Sequence, residues 1–327
     1  MQLELGGHPI HTRALSVALT RRPQGGLAAS AELVDLRKRG FTPVGSELQG
    51  AGIIHQMGLD AVVAGGVLRD IVARQPVVAF EASAATGGES CRDVAAGVGE
   101  LAGLDLDAAA ARVRPLMGGA AGCSHLLVLA QFLLATLAGQ RDDAPLADEG
   151  HGRILRRDLI IDGAELADGR LGIAVQLGDL ASRPAPASEP PAARLTVHDE
   201  WRVSLVLDGW PATIAALQGA RRRRTPADFA AAVWVDLGDA LAPLVGASLG
   251  KGGAQLLVQT LAGLPPLRDA LLQLSPALIQ CRASFPDKWL NAAMRPGHDG
   301  LIGMADSCYM WRRGGALEQV RGDRKIG

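Results

Sequence analysis

Arg13-Ala14-Leu15-Ser16-Val17-Ala18-Leu19-Thr20, the turn Arg22-Pro23-Gln24-Gly25 and the run from Gly26 to Leu36 decide the fold class. A strand-like run, a Pro/Gly turn and a second run read as two antiparallel strands. Ile53 to Val63 followed by Pro76 to Ala84 reads as another strand pair, so four antiparallel strands are expected. After Cys91 the spacing turns helical: Val94, Val98 and Leu101 form one stripe, Ala108 to Met117 follows, and an apolar helix opens at Gly122-Cys123. Strands first and helices second predict an α+β layer, with helices on one face of an antiparallel sheet.

The same layout is written twice. His11 to Leu27 can be laid on Leu155 to Leu171, 144 positions later, and Gly119 on Gly263 at the same spacing. Ile53-Ile54-His55 falls on Thr196-Val197-His198, and Gly103 on Gly246, at 143. Anchors held over so long a span point to an internal duplication, two tandem copies related by a pseudo-twofold. The polar, Pro- and Gly-bearing stretch from Gln140 to Gly150 reads as the linker. This divides the chain into a first copy, 1–142, and a second, 143–327. The second carries a Pro-rich insert at 183–194, read as a flexible surface loop, where the first has Pro43 to Gly50, and a tail at 285–327 whose Trp289, Met310 and Trp311 suggest docking onto a surface.

Length agrees with two domains, since 327 residues exceed the usual span of one core. A net charge of -1 and 3% aromatic residues, a single Tyr among them, exclude a phosphate-driven nucleic-acid binder and a base-stacking platform. The longest apolar run, Leu126 to Gly139, is too short to span a membrane, and the residues from Met1-Gln2-Leu3-Glu4 onward show no basic region followed by a hydrophobic stretch, so a cytoplasmic protein without a secretory signal is expected. Arg221 to Arg224 reads as a solvated loop before a helix start, and Gly250-Lys251-Gly252-Gly253 lacks phosphate-loop spacing, so no nucleotide cofactor is expected. Four cysteines in a chain of this length do not form a disulfide framework, which leaves packing, metal binding or chemistry to explain them.

Candidate ligands cluster in the first copy. His55 opens a strand, Cys91 starts a helix after Gly87-Gly88, and Cys123 and His125 open the next helix. Helix starts favour thiolate, and thiolates and imidazoles are the donors zinc and iron prefer. His55, Cys91, Cys123 and His125 are therefore the expected metal ligands, with His125 also placed for acid–base work and Glu81 as a general base or a partner to a ligand histidine. In the second copy Cys91, Cys123 and His125 become Trp234, Leu267 and Asp269, so one site per chain is expected. Cys308 has no role in this scheme.

His11-Thr12-Arg13, Gly118-Gly119-Ala120-Ala121-Gly122-Cys123-Ser124-His125-Leu126 and Asp306-Ser307-Cys308-Tyr309 resemble the bacterial "domain of unknown function 2889" family. The chain departs from that pattern in its two copies, in Gln56 after His55 where the family favours Asp, and in Tyr309 where the family has His. The pattern in turn is similar to the iron–sulfur assembly scaffold fold, in which the positions of His55, Cys91 and Cys123 converge at one end of the sheet. The resemblance implies a zinc or iron protein of small-molecule catabolism, a lyase, hydrolase or C–C bond enzyme acting on a carbonyl-bearing or aromatic acid. Two other expectations stand beside it: a noncatalytic subunit of a larger complex such as a carboxylase, and an iron–sulfur cluster carrier, against which the missing first Cys counts.

Overall fold

Alternating side chains build a single antiparallel sheet. The computed structural model describes residues 6–39, 50–140, 152–186, 188–209, 212–250, 252–284 and 305–323. Strands β1 (Gly7–Arg21), β2 (Leu27–Arg37), β3 (Gly52–Ala64), β4 (Val67–Val77), β5 (Arg153–Leu166), β6 (Leu171–Ser182), β7 (Leu195–Asp208), β8 (Thr213–Arg224) and the two-residue β9 (Val235–Asp236) pair in the order β4-β3-β2-β1-β5-β6-β7-β8-β9. All pairs are antiparallel, and β1 bonds β5 along its length, so the two halves of the chain share one sheet. The period of two puts Leu15, Val17 and Leu19 of β1, Leu27 to Leu33 of β2 at alternate positions, and Leu159, Val175, Val203 and Leu205 on the buried face.

Helices cover that face. They are α1 (Leu106–Met117), α2 (Ser124–Ala138), α3 (Pro191–Arg194), α4 (Gly238–Leu241), α5 (Gly253–Thr260), α6 (Pro265–Leu271), α7 (Leu274–Ala283) and α8 (Ala316–Asp323), with a tighter 3-10 helix at Cys91–Leu101. α2 is apolar nearly all round, as a helix buried on most sides must be. It packs on β1, β2 and β3, while α7 lies over the β1–β5 seam. The α+β expectation holds in this coarse form. Length suggests two cores, but the buried apolar side chains form one cluster running from Ile10 to Leu317, because the shared sheet leaves no break between halves.

Three local expectations are corrected. The fourth strand runs from Val67 to Val77, not Pro76 to Ala84: Gly65 (φ 60°) and Gly66 (φ 72°) close a two-residue hairpin that needs left-handed backbone twice, so the chain returns at once. The four arginines lie within β8, where alternation sends Arg221 and Arg223 to Asp199 and Arg222 and Arg224 to Glu200. The Pro-rich insert is tied down, its ends joined by Arg183 N–H donating to the Arg194 carbonyl (2.9 Å). Most of the linker, the Pro43–Gly50 stretch but for Gly50, and Trp289 lie outside the described residues.

Candidate metal centre

The site starts from charges on the core-facing parity of β1 and β2. Arg13 stands in line with Leu15 and Val17, and Asp35 with Leu33, so both side chains enter the core, where they are 1% and 0% exposed. Arg13 donates to Asp35 through Nε (to Oδ1) and Nη2 (to Oδ2), each at 2.8 Å. Such a bidentate fork is the geometry that lets a buried carboxylate stay ionised.

Three imidazoles surround the same carboxylate. His11 Nε2, from β1, lies 3.2 Å from Asp35 Oδ1; His125 Nε2, from the first turn of α2, lies 3.2 Å from Oδ2; His55 Nδ1, from β3, lies 3.6 Å from Oδ2. The His55 and His125 rings are nearly in contact, with centroids 3.8 Å apart. Donor atoms of Asp35, His55 and His125 all fall within 4.8 Å of one another, the one such set of three or more among the described residues. From the second half, α7 adds Gln280, whose Nε2 is 3.3 Å from His125 Nε2, and Cys281, whose Sγ is 4.0 Å from His11 Nδ1.

Electrostatics follow from depth. Burial pushes the Asp35 carboxyl up, but the Arg13 guanidinium and the three imidazoles override it and hold it well below the usual carboxylate range. Burial lowers His11, with Asp35 offsetting part of the effect, and burial plus the neighbouring His55 takes His125 down to about 3. Neutral imidazoles beside an ionised carboxylate are the protonation states a divalent cation requires.

The donor spacing suits an ion. Two ligands about 2.1 Å from one metal stand roughly 3.0 to 3.4 Å apart for right-angled to tetrahedral geometry; the 3.2 Å from Asp35 Oδ2 to His125 falls within that range and the 3.6 Å to His55 just above it. His55 Nδ1 is also buried without a hydrogen-bond partner. A lone pair left so is costly unless something else takes it.

The expected ligands thus divide. His55 and His125 come together with Asp35, whereas Cys91 and Cys123 are not in that set. The helix-start argument for low thiol pKa values fails here because burial dominates: it lifts Cys91 to about 12, with Cys123 adding to the rise, and Cys123 to about 11. Glu81 is exposed and paired with Arg92 (Oε1 to Nη2 2.5 Å), so its surroundings are those of a surface ion pair. Asp35, Arg13 and His11 escaped the sequence reading of the site. Their signal is two opposite charges on the buried parity of adjacent strands.

Residues 11–139 match a family model described as "Protein of unknown function (DUF2889)". The chain is similar to that family over the segment holding His11, Arg13, Asp35, His55 and His125. No curated protein and no solved structure matches it. Among the described residues no helix is long and apolar enough to cross a membrane.

Proposed function

We propose that the chain is a mononuclear metal protein in which Asp35, His55 and His125 hold one divalent ion, and that the ion serves as a Lewis acid toward a small carbonyl-bearing molecule. The observation that carries the reading is the convergence of three donors from three elements on one point, with His55 Nδ1 otherwise unpartnered. Two imidazoles and a carboxylate suit iron(II) or zinc and leave coordination positions open. In this reading Arg13 and His11 orient the carboxylate, and the Gln280 amide faces the open side. His125, 9% exposed, is the least buried of the three ligands and marks the side from which a small molecule would approach. The depth of the set also suits an ion that only fastens α2 to the sheet. The two readings separate on whether removing the ion costs stability alone or also ligand binding.

A duplication underlies this site. Arg13–Asp35 and Arg157–Asp179 are both bidentate pairs, 144 positions apart. The hairpin ladders slip register at Val62/Val63 and again at Val206/Leu207, also 144 apart. Gly103 donates to the Leu68 carbonyl as Gly246 does to that of Ile214, both glycines with φ above 80°. In the seam, Leu15 faces Leu159, its own counterpart, as a twofold axis there requires. The anchors from β1 to β3 favour 144, with Leu68 of β4 and Ile214 of β8 standing 146 apart, so that His55 corresponds to Asp199 rather than to His198. The second half then keeps the Arg–Asp pair and replaces His11, His55 and His125 with Leu155, Asp199 and Asp269. Its counterpart of Cys123, Leu267, is fully buried, while Trp234 lies between the guanidiniums of Arg202 and Arg222.

Metal analysis of anaerobically purified protein tests the proposal. About one equivalent of iron or zinc is expected to depend on this set, so that His55→Ala and His125→Ala each hold about one equivalent less than wild type while His198→Ala holds as much. Wild type and His55→Ala with equal metal content would contradict it.

A further inference from the structure

The cysteines set aside above have their own arrangement. Cys91 begins the 3-10 helix Cys91–Leu101, Cys123 is the N-cap of α2, and Cys308 precedes the turn Tyr309–Trp311 in the C-terminal segment. That segment is pinned to the first half at several points. Tyr309 N–H donates to the Gly122 carbonyl (2.8 Å), which sets Cys308 beside Cys123 in the chain path. The Trp311 ring meets Phe80 edge-on at 5.7 Å, and the Phe80 carbonyl accepts from Cys91 N–H (3.1 Å), which brings the same segment to Cys91. Arg312 pairs with Glu89, two residues before Cys91, and Met310 is 1% exposed beneath the segment. The 3-10 helix opened by Cys91 also packs against the turn Tyr309–Trp311 that follows Cys308.

From this convergence we infer a second site, formed by Cys91, Cys123 and Cys308, that takes a thiophilic d10 cation such as zinc or copper(I). Nothing in the proposed Asp35–His55–His125 centre requires it, and the two sites differ in chemistry: nitrogen and oxygen donors there, sulfur donors here. Cys91 and Cys123 are 9% and 5% exposed, and none of the three is in a disulfide. The sulfurs are not within 4.8 Å of one another as a set, so binding draws them inward by side-chain rotation. Each thiol gives up its proton to solvent as its sulfur bonds the cation, three protons for three metal–sulfur bonds, with no change in oxidation state. Cys308 comes from the C-terminal segment, so the ion also fastens that segment over the first half.

Anaerobic titration of the full chain with cadmium(II), read by the ultraviolet sulfur-to-metal charge-transfer band, tests the site. One equivalent is expected to saturate the band, with its intensity down by about one third in Cys308→Ser, as three thiolates become two. His55→Ala and Cys281→Ala should leave the band unchanged, which separates this site from the histidine centre and controls for loss of a buried thiol. No band at one equivalent, or equal bands in wild type and Cys308→Ser, would overturn the inference.

Discussion

Asp35 is the residue on which the site turns, and its environment has a consequence for stability. In the metal-free protein His11 and His125 stay neutral, held down chiefly by burial, while in the unfolded chain they titrate near the ordinary imidazole value of about 6.5. Below that pH the unfolded state binds protons that the folded state refuses, so stability must fall as pH falls. For His125 the loss continues to about pH 3, its folded value. At pH 5 the penalty from His125 is about 2 kcal/mol, and His11 adds to it in the same direction. Asp35, depressed in the folded state, acts in the same direction at still lower pH. Urea midpoints at pH 7.5 and pH 5 in the presence of chelator should show the fall, smaller in His125→Gln; a pH-independent midpoint would refute the neutral-imidazole assignment.

Among the elements, α7 lies tightly on the sheet at one point. A Cβ on Gly163 of β5 would stand 2.4 Å from Cys281 Sγ, with Cys281 Cβ next at 3.5 Å. Gly163→Ala should therefore cost on the order of 1 to 3 kcal/mol by pushing α7 off the seam. Most of that penalty should vanish in a Cys281→Ala background, where only the tolerable contact remains; equal penalties in both backgrounds would show that α7 does not sit so tightly. The elements also show what was legible in the sequence. β1 and β2 were readable because their alternation holds along most of their length, and α2 because fifteen residues of largely apolar chain admit little else. β4 was missed because Gly65-Gly66 makes so short a turn that the returning strand merged with the one before it. At the site, His55 and His125 were legible as rare donors in structured places. Asp35 was not, since a carboxylate in a strand ordinarily faces water, and only its parity with Leu33 and its partner Arg13 on the next strand reveal that it points inward.

For the whole molecule, the continuous sheet and the single apolar cluster join halves that length alone separates into two cores. Urea unfolding followed by tryptophan fluorescence and by far-ultraviolet circular dichroism should give coincident transitions. All five tryptophans lie at or after Trp201, so fluorescence reports chiefly on the second half and dichroism on both. Separate midpoints would mean that the β1–β5 seam does not couple the halves.

The candidate metal centre assembles from the same architecture: three strands supply His11, Arg13, Asp35 and His55, α2 supplies His125, and α7 brings Gln280 and Cys281 from the second half. Anomalous diffraction from crystals grown with iron(II) or zinc, collected at the metal edge, tests this most directly. The account predicts a peak about 2.1 Å from an Asp35 carboxylate oxygen and from one ring nitrogen each of His55 and His125. No peak among these three residues, with His55 Nδ1 bonded instead to water or protein, would contradict it.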